Sequence, residues 1–561
     1  MSAGGEPPPA AGGGWARHPL LARKSLPALL AEGALEGEGR LLRALGPVQL
    51  TAVGVGSIIG AGIFVTTGAI ARQTAGPSLL LSYIVAAVSC LFAALCYAEF
   101  AAMVPVSGSA YTYAYASLGE LAAWLMGWVL VLEYAVGAAL VANGWSGYLQ
   151  SVLGSFGISL PRAVAGAVMR YDPHLGRLQA TGSYVNLPAV LIVGLVMVVL
   201  IAGIRESARF NTAMVVLKLA TVLFVVVAGA FYVDPRNWRP FAPYGLGGVG
   251  AFGKIFFGHA DAGGRPVGML AGAALAFLSY FGFDAVSTQS EEARRPQRDV
   301  PAGILASLAI CSALYVAVIA VLTGMVRYDR LDLDAPLATA FGQVGLGWAK
   351  LLIGLAGVAG ITTVLLVLML ALPRILLAMA RDGLLPERFF AAVHPRFRTP
   401  HRATLATGLF VGAITAFLPI DLLVNFVIMG TLLAFLVVCA AVPVMRRTHA
   451  AAARPFRVPW VPLVPLLGAA SCLLLMCSLP PENWLRLLLW FLAGLVIYFC
   501  YGRRHSRLRY PGGRGAQGPG ADRDADPGAH RAVGLDAHRG GGFPDATAPA
   551  VDLPHGARSN L

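Results

Sequence analysis

The chain is 561 residues long, 57% hydrophobic and only 12% charged, with a mean hydropathy of +0.70. It lies above the apolar and below the charged content of soluble domains, and at roughly 20 apolar residues per bilayer crossing it has room for many spans, which excludes a soluble enzyme on one anchoring helix. The 42 Lys and Arg against 28 Asp and Glu leave a net charge of +14, which in such a chain reads as basic loops rather than as a nucleic-acid partner.

Residues 1–40 are rich in Gly, Pro and Ala, carry Arg17, Arg23 and Lys24, and have no continuous apolar region of the kind a cleavable signal peptide needs. They read as a disordered arm. From 41 to 501 apolar runs bounded by charges or turn residues predict an all-α membrane domain of about twelve transmembrane helices. The expected spans are 47–70, 78–104, 121–147, 187–204, 210–232, 268–290, 302–326, 348–379, 403–418, 421–445, 460–478 and 484–501. Residues 502–561, dominated by Gly, Arg, Asp, His and Pro, bury too little to fold and read as a disordered tail.

An even number of spans puts both termini on one side. Arg205 and Arg209, the stretch Arg294–Arg298, the segment 381–402 and the run from Arg446 to Arg457 all fall on that side, so both termini are expected in the cytoplasm of a plasma (inner) membrane protein. The long loops near 150–186 and 233–267 are expected to face outward. All seven cysteines fall within or at the ends of apolar runs without metal-ligand spacing, and all ten histidines lie outside them. No metal, cofactor, disulfide framework or catalytic residue is expected, and the chain does not read as an enzyme.

The first span contains GVGSIIGAGIF, with Gly54, Gly56, Gly60 and Gly62 inside a helix, where each costs about 1 kcal/mol relative to Ala. One reading is close helix packing. The other gains weight from the sixth span, five helices later, where Gly282 and the ionisable Asp284 interrupt an apolar run in SYFGFDAVS. Interrupted helices at matching positions of two halves point to an inverted repeat with its site at the breaks. Half-helix ends offer free amides on one side and free carbonyls on the other, which suits a zwitterion. The α-carboxylate fits the amides of Gly60, Ala61 and Gly62, and the ammonium fits carbonyls of Ile58, Leu278, Ser279 and Phe281.

GVGSIIGAGIF, Leu132–Tyr134 (LEY), Lys218, Gly282–Asp284 (GFD) and PRILLAMARDGLLP from Pro373 together resemble the amino acid–polyamine–organocation superfamily, and within it the cationic amino acid transporter family, especially its twelve-helix bacterial members. The likeness runs from about 41 to 500. It implies the bacterial leucine transporter fold, a five-plus-five inverted repeat with helices 1 and 6 broken, helices 1–10 reaching about 445 and helices 11–12 spanning about 460–501. It also implies proton-linked movement of amino acids, so the partners are an amino acid, protons and the bilayer, with no statement about an accessory subunit. Where relatives often carry consecutive aromatics before the sixth-helix break, this chain has Phe277 followed by Leu278. Ile361 in the eighth span is placed at the far end of the substrate pocket, where it would favour small neutral side chains.

Lys218 lies inside the fifth span, where a cation is costly unless compensated. Snorkelling to the interface is one outcome. Because burial disfavours the charged form, the other is a proton-coupling group, a role that the resemblance also implies. Glu133 in the third span and Asp284 past the break could neutralise Lys218, contact a substrate side chain, relay a proton, or hold helices together. Arg374, Arg381 and Asp382, and separately Glu99, read as a cytoplasmic charge network. The aromatic stretch Tyr111–Glu120 reads as an interfacial belt. Secondary active transport by proton symport is the leading expectation. Proton-independent facilitation or exchange of cationic amino acids is the alternative, and a transporter-fold sensor the alternative of another class.

Overall fold

The structure, a computed structural model, describes residues 22–25, 45–106, 108–172, 177–202, 205–251, 254–261, 264–333, 335–395, 397, 399–418, 420–480 and 482–509. Disorder expected over 1–40, apart from 22–25, and beyond 509 falls outside these residues. In chain order the helices are α1 (Pro47–Ile58), α2 (Ala61–Phe64), α3 (Thr66–Ile70), α4 (Leu79–Met103), α5 (Ser109–Ser117), α6 (Glu120–Ser155), α7 (Leu187–Ala202), α8 (Arg205–Ala230), α9 (Met269–Ala276), α10 (Pro296–Met325), α11 (Pro336–Gln343), α12 (Gly347–Arg381), α13 (Glu387–Phe390), α14 (His401–Phe417), α15 (Ile420–Thr448), α16 (Leu463–Cys477), α17 (Glu482–Ile497) and α18 (Arg503–His505).

Among the described residues eight helical stretches are long and apolar enough to cross a membrane, and α1, α7 and α16 are shorter apolar helices. Their apolar character is two-sided. Leu191, Leu195 and Val198 of α7, Leu463 and Leu466 of α16, and Leu485, Leu488 and Leu492 of α17 are exposed. In water such faces would be a liability, whereas in hydrocarbon they are the expected lipid contact. Most side chains of α6 and α12 are instead buried, and the most extensive packing joins α12 to α6, α10 to α4, α15 to α6 and α10 to α1. Local sequence explains several ends. Pro296 opens α10 with its φ already set, and Asp299 in the first turn accepts from the Arg295 amide at 3.3 Å.

The long loops between spans carry short hairpins: β1 (Met169–Asp172) pairs antiparallel with β2 (Arg177–Ala180), β3 (Val249–Ala251) with β4 (Lys254–Phe257), and β5 (His259–Ala260) with β6 (Pro266–Val267). Such stretches are too short for a further helix, and hairpin pairing satisfies their backbone groups. The tyrosines of α5 form no interfacial belt, since Tyr111, Tyr113 and Tyr115 are buried. Tyr113 stacks on Phe100 at 5.0 Å and meets Tyr97 edge-on at 5.9 Å. The fifth helix begins at Arg205, within several residues of the approximate start at 210.

Candidate functional site

The first span breaks as its glycines suggest, but only one of them stands at the break. α1 ends at Ile58, Ile59 is extended, and Ile63 and Phe64 both donate back to the Gly60 carbonyl at 3.2 and 3.1 Å. Gly60 leads the new turn, whose first amides have no carbonyl of a preceding turn to reach. Gly54 and Gly62 serve close packing: a Cβ on Gly54 would overlap Ser307, and one on Gly62 would overlap the Ser279 backbone. A Cβ on Gly60 would overlap Val364 of α12.

The sixth span gives way at the expected place. After α9 come a 3₁₀ turn at Phe277–Tyr280, the extended Phe281, Gly282 at φ +106°, and a second 3₁₀ segment at Phe283–Glu292. The left-handed φ favours glycine. A Cβ there would also press on Ser57 of α1 at 3.0 Å. Ser57 Oγ donates to the Gly282 carbonyl at 2.8 Å, so the two breaks are joined directly. A tyrosine strengthens the junction: Tyr83 OH of α4 lies 2.7 Å from Ser279 Oγ and 3.4 Å from the Gly62 carbonyl.

Carbonyls around the first break are met by side chains from several helices. Lys218 Nζ donates to Gly56 O at 2.7 Å and to Ile59 O at 2.8 Å. Tyr315 OH of α10 donates to Ile58 O at 2.8 Å, and Tyr148 OH of α6 donates to Phe64 O at 2.6 Å. The last carbonyls of a helix lack intrahelical partners and carry the negative end of its dipole. A wholly buried lysine at the end of α1 therefore compensates two deficits at once. Of the alternatives left open, Lys218 does not snorkel, and among the described residues neither Glu133 nor Asp284 is its hydrogen-bond partner. Gly360 of α12 makes room for it, since a Cβ there would stand 3.2 Å from Lys218 Cγ.

Glu133 and Asp284 are also wholly buried. Glu133 Oε1 accepts from Thr431 Oγ1 of α15 at 2.8 Å, and Oε2 meets no hydrogen-bond partner among the described residues. Asp284 Oδ2 accepts from Tyr134 OH at 2.6 Å, while Oδ1 has no hydrogen-bond partner among the described residues. The two carboxylates lie within electrostatic reach of each other. Phe281 packs on Tyr134 with ring centroids 6.0 Å apart and fills the space over Gly137. Leu278 is buried and its carbonyl accepts from the Phe281 amide at 3.2 Å. Ile361 is buried on α12 beside Gly360, but the α12 side chain that meets Gly60 is Val364, about one turn further on.

Charges outside the breaks form ion pairs. Arg374 meets Glu292 at 2.6 Å, Arg381 meets Glu291 at 3.9 Å, and Lys24 meets Asp382 at 2.6 Å. Glu99 is clamped by Arg446 at 2.6 Å and Arg454 at 3.6 Å. Sequence reasoning missed Ser57, Tyr83, Tyr315, Gly360, Val364 and Thr431. A polar side chain in an apolar run was the available signal for the first three, but their partners are carbonyls or groups on distant helices.

Apolar faces turned outward, around an interior that holds two interrupted helices and the buried side chains of Lys218, Glu133 and Asp284, define an integral membrane protein. The chain matches the amino acid permease family over residues 45–499. It is 42% identical over 489 residues to the methylthioribose transporter of Bacillus subtilis, covering 87% of this chain and 99% of that one. To the branched-chain amino acid permease BcaP of the same organism it is 43% identical over 487 residues, 87% of this chain and 98% of that one. With human cationic amino acid transporter 4 it shares 41% over 415 residues, 73% of this chain and 60% of that one. The chain belongs to the amino acid permease family, whose members are transporters and not enzymes.

Proposed function

We propose that the chain is a secondary active, proton-coupled amino-acid symporter that works by alternating access around its two broken helices, with the twelve-helix bacterial leucine transporter fold. The observation that carries this reading is Lys218 on the Gly56 and Ile59 carbonyls. An ammonium there balances the negative end of α1, and losing its proton removes that charge and loosens α1 against α8. Protonation is thereby tied to the position of the helix that forms half the substrate site.

Substrate binding follows from the same breaks. The α-carboxylate sits on the Gly60, Ala61 and Gly62 amides. Its ammonium sits on carbonyls of Ile58, Leu278, Ser279 and Phe281, sharing Ile58 O with Tyr315. Val364, Phe281 and Ile361 give the side-chain end an apolar character, which favours neutral apolar amino acids, in keeping with the name of the branched-chain relative. The half-paired Glu133 supports a second reading, in which Glu133 and Asp284 receive a cationic side chain and the protein exchanges cationic amino acids. The basic segments support cytoplasmic termini.

Radiolabelled uptake into proteoliposomes tests the proposal. Leucine or valine should accumulate above equilibrium when the outside is acidic, and dissipating the pH gradient should abolish accumulation. Uptake that only equilibrates, with or without the gradient, contradicts symport. Arginine exchange without gradient dependence favours the second reading. A cysteine at Gly157 should react with an impermeant reagent in intact cells; protection there reverses the topology.

A further inference from the structure

The motif Arg381–Pro386 takes no part in the paired breaks, yet both ends of the described chain meet beside it. From the N-terminal side, Lys24 Nζ reaches Asp382 Oδ1 at 2.6 Å, with both side chains only 11% exposed. Ala22 O accepts from the Glu120 amide at 2.9 Å, and the Lys24 amide donates to Tyr115 O at 3.4 Å. Tyr111 OH takes the other oxygen of Asp382 at 2.5 Å. From the C-terminal side, the Arg507 amide donates to Asp382 O at 3.0 Å. Gly383 stands at φ +78°, and a Cβ on it would overlap the His505 carbonyl, so this glycine is fitted to the passing C-terminal segment.

Glu120 completes the junction. It opens α6, is wholly buried, and accepts from Arg509 Nε at 2.9 Å, Tyr498 OH at 2.7 Å, Tyr115 OH at 3.2 Å and Ser506 Oγ. Burial together with the Asp382 and Glu120 carboxylates pushes the Tyr115 hydroxyl well up, which keeps it a donor. A buried carboxylate stripped of partners is strongly destabilised, and two of these four donors, Ser506 and Arg509, come from the segment Arg503–Arg509. The Arg507–Glu387 pair at 2.5 Å is half exposed and adds little. Helix α17 is tied to α6 just above: Trp128 and Trp490 stack at 4.5 Å and each indole donates to the other's carbonyl, at 2.9 and 3.0 Å.

We infer that Arg503–Arg509 is a latch: it seats Glu120 and the Asp382–Gly383 turn so that Lys24, on the segment leading into α1, closes over this end of the molecule. Glu120, Ser506 and Arg509 are positioning residues for that closure. The inference rests on the alternating-access reading, in which α1 must swing for the site to open on this side. Releasing the latch frees the arm and shifts the protein toward the state open on that side.

The test uses the full chain in liposomes with Cys477→Ser and Cys500→Ser, and Ala22→Cys as a reporter for a charged maleimide. Arg509→Ala, and a chain ended after Gly502, should label about five-fold faster than the parent and show a changed substrate KM with a smaller change in maximal rate. Arg509→Lys and a chain ended after Arg509 should stay near the parent. Equal labelling in the parent, Arg509→Ala and the chain ended after Gly502 overturns the latch, as does equal acceleration when the chain ends after Arg509. Should the shorter chain fail to fold, Arg509→Ala, checked by its Tm, decides alone. Labelling is read without substrate, so a failure of amino-acid transport leaves this result interpretable.

Discussion

Lys218 and Glu133 are both wholly buried in the same apolar interior, yet the amine meets two backbone carbonyls while the carboxylate leaves one oxygen without a partner. The amine's partners exist only because α1 stops at Ile58, so its hydrogen bonds depend on the break. The carboxylate's one donor, Thr431, lies on α15 and owes nothing to either break. The contrast teaches that the cation's hydrogen bonds report on the position of α1, whereas that of Glu133 does not. An unpaired buried carboxylate oxygen is costly.

Closing off the amides of the first break has the largest effect. Gly62→Val would drive a branched side chain into the Ser279 backbone, and Gly60→Val would meet Val364. Both should abolish ligand-induced stabilisation in thermal-shift titrations with a panel of amino acids. Gly62→Val should also lower the Tm by several degrees, because backbone atoms cannot yield as Val364 can. Preserved ligand shifts in both variants would remove the substrate from the first break.

The carboxylate side of the comparison is sharpened by Glu133→Gln and Asp284→Asn, which keep shape and lose charge. If the pair receives a cationic side chain, apparent affinity for arginine should fall about ten-fold or more, equivalent to ~1.4 kcal/mol, while leucine is unaffected. Equal losses for both substrates assign the pair to the proton or to the fold. Tyr315→Phe is the mildest change: it removes the donor to Ile58 O at a cost of about 1 kcal/mol. A few-fold rise in KM with an unchanged pH dependence is expected, and a shifted pH dependence would give Tyr315 a share in coupling.

Much of this was legible in the sequence. Gly60 and Gly282 announced the two breaks because a glycine inside an apolar run is costly and has to be explained, and Lys218, Glu133 and Asp284 announced themselves as ions in hydrocarbon. Their partners were not legible. Gly56 O and Ile59 O belong to the backbone, which every residue carries, so no residue type marks them as the lysine's acceptors. The α5 tyrosines read as an interfacial belt because an aromatic run beside a span looks the same whether it faces lipid headgroups or packs under α15. The segment Arg503–Arg509 reads as part of a disordered tail because Glu120, more than 380 residues earlier, is what makes it structure.

The central claim is that the Lys218 proton couples the gradient to α1, and Lys218→Met tests it most directly by removing the charge while keeping an unbranched side chain of similar length. Two measurements on the reconstituted protein are compared in parent and variant: concentrative uptake under an inward proton gradient, and counterflow exchange at symmetrical pH. The account predicts that the variant loses gradient-driven accumulation and retains exchange, since the amides and carbonyls at the breaks remain. A variant that still concentrates substrate to the parent's level in response to the gradient contradicts it, makes Lys218 a structural clamp on α1, and moves the coupling proton to Glu133 or Asp284.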